Sequence, residues 1–141
     1  MGVDPTDDEL RTILTTTRRI AVVGASDNPA RPSHGVLRFL LDIGYDAVPV
    51  NPGLAGQLLH GRAVAASLDE ALPLDMVDLF RAPEHVLPMV RDTVRLGART
   101  VWMQLGVVHE AAAAEARAAG LAVVMDRCLL IEWRRLGLGR T

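Results

Sequence analysis

Short, almost continuous apolar runs at Arg19–Gly24, Tyr45–Val50, Met76–Phe80, Thr100–Gln104 and Leu121–Met125 read as five strands. They are rich in Val, Ile and Leu and show little alternation, the pattern of parallel strands covered on both faces. Between them apolar positions recur at helical spacing. Val36, Leu37, Phe39, Leu40, Leu41 and Ile43 mark one helix, ended by Gly44. A second runs from Pro83 to about Leu96, where Pro88 predicts a kink or a late start. An alanine-rich third covers His109–Ala119, with Gly120 as its stop. Thr6-Asp-Asp-Glu9 has the form of a capping box and opens a helix over 7–16. Ser67-Leu-Asp-Glu70 has the same form, before a short helix that Pro73 halts. The tail from Cys128 is expected to pack and then fray.

Strands alternating with helices give an α/β domain, a doubly wound five-stranded parallel sheet with helices on both faces. The expected strand order is 3-2-1-4-5. Pro49 is awkward inside a central strand and marks the last residues of strand two. The 141 residues form one domain, with 1–17 as an N-terminal helical extension.

In such sheets ligands bind beyond the carboxyl ends of the strands, where the order reverses. That places the crevice beside strands one and four. The first loop, "GASDNPARPS", has Gly24, Ser26 and Pro29 where a dinucleotide fingerprint needs three glycines. Proline cannot copy the third, so the tight NAD geometry is not expected. Ser26, Ser33, Arg31 and a helix N-terminus suit a phosphate instead. An ordinary polar loop with Ser33 as N-cap suits the same residues equally. After strand two stands Asn51-Pro52-Gly53, where NAD sites carry an acidic residue; a plain turn is the other reading. Arg81 leaves strand three at the same edge, either toward an anion or paired with Asp75, Asp78 or Glu84. Pro83 offers a flat apolar surface to an adenine.

Composition narrows the chemistry. All 15 basic residues are arginine, which excludes a Walker lysine, a Schiff base and a lysine general base. A net charge of −2 with both signs scattered gives no reason to expect a nucleic-acid partner. The mean hydropathy of +0.22 suits a folded protein, and no apolar run is long enough for a membrane span. The N-terminus lacks the form of a signal peptide, and a cytoplasmic location is expected. His34, His60, His85 and His109 lack metal-ligand spacing. Cys128, the single cysteine, reads as a buried structural residue, with a reactive thiol beside Arg127 as the alternative. Asp126 is the one carboxylate well placed at the carboxyl edge, either for acid–base work or for helix capping or a link to Arg127.

Five segments in register, "VGASDNPARPSHGV", "GYDAVPVNPG", "DMVDLFRAPE", "VWMQLGV" and "VVMDRCLLIEW", resemble the small stand-alone bacterial CoA-binding proteins. They are similar, more distantly, to the N-terminal CoA-binding domain of the succinyl-CoA synthetase α-subunit. The resemblance covers Arg18 to Leu138 and implies a Rossmann-like fold with coenzyme A, or an acyl-CoA, at the carboxyl edge. It implies Gly24, Ala25, Ser26, Arg31 and Ser33 on the phosphates, and Asn51 and Pro52 near the adenosine end. It implies Phe80, Arg81, Ala82 and Pro83 around adenine and ribose, and Gln104 and Gly106 along the pantetheine arm. The synthetase's second domain, which carries its phosphorylated histidine, has no counterpart in this chain. A non-catalytic CoA-binding module is therefore expected, its protein partner open. A minimal NAD(P)-dependent oxidoreductase and a docking domain with a vestigial crevice are the alternatives.

Overall fold

The strands fall where the apolar runs lie. In the computed structural model, which describes residues 4–139, β1 is Arg19–Val23, β2 Asp46–Val50, β5 Met76–Leu79, β6 Thr100–Met103 and β7 Ala122–Val124. They form one parallel sheet in the order β2-β1-β5-β6-β7. Numbered as the five predicted strands, this is 2-1-3-4-5, not the expected 3-2-1-4-5. Pro49 supplies the reason. Its carbonyl accepts from Ala65 N (2.9 Å) on the side away from β1, so its missing N–H faces that side too. A strand docked there would lose a ladder bond, and β2 takes the edge. The reversal of order, and with it the crevice, moves to β1 and β5.

The β2 edge is closed from within the chain. Asn51 N donates to Ala65 O (2.9 Å), and Val50 and Ala65 make a lone parallel bridge. A small hairpin, β3 (Leu58–Leu59) and β4 (Arg62–Ala63), precedes Ala65 and was not foreseen. Its two turn residues, His60 and Gly61, both have positive φ, the geometry that suits a tight hairpin.

Two apolar layers sandwich the sheet. On one face lie α1 (Asp7–Thr16), α2 (Pro32–Asp42) and α5 (Leu129–Arg135), whose Leu10, Leu14, Leu37, Leu40 and Leu129 bury Ile20, Val22, Met76 and Trp102. On the other lie α3 (Val86–Arg95) and α4 (Glu110–Ala118), packed through Val86, Val90, Ala112 and Ala116. The capping box of α1 forms in full. The second does not: Ser67 makes no side-chain cap, Glu70 accepts from Ala66 N, and only a 3-10 turn follows. The helix after Pro83 starts late, at Val86, which leaves Pro88 in the first turn where its missing N–H costs nothing. The tail forms α5, a helix its sequence did not announce; the end expected to fray lies outside the described residues.

Candidate functional site

Loop one is fixed by three anchors. Gly24 N and Ala25 N both donate to Val50 O, at 3.1 and 3.3 Å. The Ser33 hydroxyl donates to Gly24 O (3.0 Å), and Asn51 Nδ2 donates to Ala25 O (2.8 Å). Asn51 Oδ1 accepts from Gly53 N (2.8 Å), so this side chain latches loop one to the turn after β2. Ser33 is not the cap. Helix α2 begins at Pro32 with Arg31 as N-cap and no side-chain cap bond; Pro32 has no N–H and His34 N donates to Arg31 O (3.0 Å), which leaves the Ser33 N–H for a ligand. Asn51→Ala is expected to cost about 1–3 kcal/mol by leaving Ala25 O unpartnered, read as a lower urea midpoint. An unchanged midpoint would show that the latch carries no load.

The facing wall follows β5: Phe80, Arg81, Ala82 and His85. Beyond β6 come Gln104, Leu105 and Val107, and the chain returning from β7 adds Cys128 and Ile131. That return is pinned over the end of β6, because Arg127 N donates to Met103 O (3.3 Å) and Trp102 Nε1 to Arg127 O (2.8 Å). The Arg127 guanidinium pairs with buried Glu132 (3.0 Å), which Arg135 also holds (2.8 Å). Asp126, the one carboxylate singled out at this edge, accepts from Gly106 N (2.7 Å) and so joins two loops.

These segments enclose a cleft of about 680 Å³ at the reversal of strand order. Arg31, Arg81 and His85 line it, and no carboxylate among the described residues does. Among the described residues neither arginine has an ion-pair partner. Asp75, a suggested partner of Arg81, instead binds Arg99 (2.9 Å) and the backbone of Arg18 and Arg19, and these hold its carboxyl below the usual range despite burial. Gln104 is 4 % exposed, and its Oε1 has no hydrogen-bond partner among the described residues.

The family model for a CoA binding domain matches residues 18–134. The chain belongs to that CoA-binding family. It is similar to the uncharacterized protein YneT of Bacillus subtilis, 35 % identical over 128 residues, 91 % of this chain and 94 % of that one. Among solved structures it is similar to cell-free ID.343 from Thermus thermophilus (40 % identity, TM-score 0.88, 94 % of this chain and 99 % of that one). It is also similar to a hypothetical protein from Pyrococcus horikoshii OT3 (37 % identity, TM-score 0.89, 99 % of each chain).

Of the residues nominated by the resemblance to CoA-binding proteins, Gly24, Ala25, Ser26, Arg31, Ser33, Asn51, Phe80, Arg81, Ala82 and Gln104 line the one cleft. Pro52, Pro83 and Gly106 do not. Both prolines are exposed on 3-10 turns, and the Gly106 N–H is taken by Asp126. Pro32, His85, Leu105, Val107 and Ile131 were missed. Cys128, read as a buried structural residue, is a half-buried part of the wall. Apolar residues in a loop or a short helix give no periodic signal, and the return of the chain over β6 could have found Cys128 and Ile131 only after the strand order was known.

Proposed function

We propose that this chain binds coenzyme A in the cleft, as a binding module rather than a catalyst. One observation carries the reading. Among the described residues, two arginines without ionic partners face a cleft lined by no carboxylate, beside the N-terminus of α2, in a member of a CoA-binding family. Arg81 is half-buried, and a guanidinium there is costly to desolvate unless an anion meets it; exposed Arg31 can turn toward the same anion, and α2 adds the Ser33 N–H and a partial positive charge. The diphosphate lies against loop one, at Ala25, Ser26 and Arg31. Arg81 meets the 3′-phosphate, and the amide arm runs past Gln104. The same pattern favours CoA over a nicotinamide dinucleotide, since the β2 turn supplies Asn51, already committed to Ala25 and Gly53, in place of a carboxylate for ribose hydroxyls.

Titration calorimetry with CoA and 3′-dephospho-CoA tests this. One charge-assisted contact is worth about 1.5–3 kcal/mol, so removing the 3′-phosphate is expected to weaken binding roughly ten- to a hundredfold. Arg81→Ala should abolish most of that difference. Equal affinity for the two forms in the wild type would remove the arginine assignment, and absence of binding by both would remove the reading itself.

A further inference from the structure

The cleft is not uniform along the sheet edge. Its arginines come from the loops after β1 and β5, whereas Leu105 and Val107 follow β6, and Cys128 and Ile131 follow β7. On this second side sits Gln104, buried, with an acceptor oxygen that nothing in the described chain satisfies. A buried carbonyl without a donor costs about 1–3 kcal/mol, and an amide N–H from a ligand would satisfy it. Leu105 and Ile131 are 61 % and 50 % exposed, so this side opens to solvent through an apolar mouth. Cys128 is half-buried in the same wall, on the segment pinned over β6 by Trp102 Nε1 and Met103 O.

We propose that Cys128 is a site of covalent capture, where the chain forms a mixed disulfide with CoA by exchange with the symmetrical disulfide of CoA. The proposal rests on the CoA reading and extends it to the far end of the ligand. With the phosphates at the arginines and an amide N–H on Gln104 Oε1, the sulfur end reaches the apolar mouth where Cys128 stands. The Cys128 thiolate attacks one sulfur of the CoA disulfide. A bond forms between Cys128 Sγ and that sulfur, and the original S–S bond breaks. The second CoA departs as a thiolate and takes a proton from water. The protein thiol is oxidised and the disulfide reduced, so no other oxidant enters. The open mouth lets the departing half remain in solvent throughout.

Intact-mass spectrometry of the full chain mixed with CoA disulfide at mildly alkaline pH tests it, beside calorimetry with reduced CoA under reducing conditions. Because Cys128 is the single cysteine, every disulfide adduct reports on it. The expected result is a gain equal to CoA less two hydrogens, reversed by dithiothreitol. It should form at least about tenfold faster than the adduct with glutathione disulfide, since a bound reactant is pre-positioned, and desulfo-CoA should suppress it. Three results would overturn the proposal: reduced CoA binding without any adduct, equal rates with the two disulfides, or indifference to desulfo-CoA. The first leaves the CoA reading standing. Failure of both CoA binding and adduct formation would remove the two together.

Discussion

Gly24→Ala is expected to unfold at a much lower urea concentration than the wild type and to lose most of its affinity for CoA. Gly24 has φ +87°, and a Cβ there would lie 2.2 Å from Phe80 O and 3.0 Å from its carbonyl carbon. The obstacle is backbone and cannot swing aside. Phe80 N is tied to Val23 O (2.9 Å), and Gly24 N to Val50 O (3.1 Å). Left-handed strain costs about 1–2 kcal/mol, and prising packed groups apart a further ~1–3 kcal/mol. The loss is then roughly 2–5 kcal/mol, and loop one is displaced from the phosphate position. Gly35→Ala on α2 is the control. There a Cβ meets nothing within 4 Å, and helix propensity should raise stability by up to about 1 kcal/mol. Matching midpoints for the two variants would refute the contact argument.

The second large effect lies beneath the cleft. Asp78 is the third of the four residues of β5, the middle strand of the sheet, between Val22 and Trp102, with 0 % exposure. Neither carboxylate oxygen has a hydrogen-bond partner among the described residues. Burial pushes its carboxyl well above 3.8. Below pH 3.8 the group is protonated whether the chain is folded or not. As pH rises above 3.8 the unfolded chain ionises while the folded one stays neutral, so unfolding releases a proton. Stability then falls by about 1.4 kcal/mol per pH unit until the folded group itself ionises, after which the loss stops growing.

Asp7, Glu9, Asp46, Asp75 and Glu115 act in the opposite sense. Hydrogen bonds and arginines hold their carboxyls low, and their contribution is lost as pH falls below the usual carboxylate range. Stability is therefore expected to peak in mildly acid solution. Urea titrations of the wild type and Asp78→Asn from pH 5 to 8 isolate the Asp78 share as a difference. The wild type should lose ground against the variant as pH rises from 5, until the folded Asp78 ionises. Parallel curves would show that Asp78 finds a partner when folded.

Much of this was written in residue types that act locally. The capping box at Thr6 and Glu9 forms within one turn and needs no distant partner, and α1 runs over the residues its sequence predicts. Gly24, Arg31 and Arg81 stood out because a turn glycine and arginines at strand ends are conspicuous whatever surrounds them. Strand order is another matter, since parallel strands gain little from adjacency in sequence. Pro49 holds the answer, but as a statement about which side of β2 no further strand of the sheet takes, not about where β2 ends. Asn51 and Ser33 were legible as polar residues near the crevice, yet their side chains are turned inward, on Ala25 O and Gly24 O. Composition cannot tell a residue that touches a ligand from one that shapes the loop that does. The Ser67 box failed for a related reason: Glu70 found Ala66 N closer to hand, and no helix long enough to reward the cap followed.

The segment laid along β2 has a consequence for molecules in a crowd. Pro49 offers no donor outward, and its carbonyl and the Asn51 amide are already occupied by Ala65. A neighbouring chain arriving from the hairpin side meets no continuous row of free main-chain groups, so stacking of sheets from molecule to molecule is discouraged along that border.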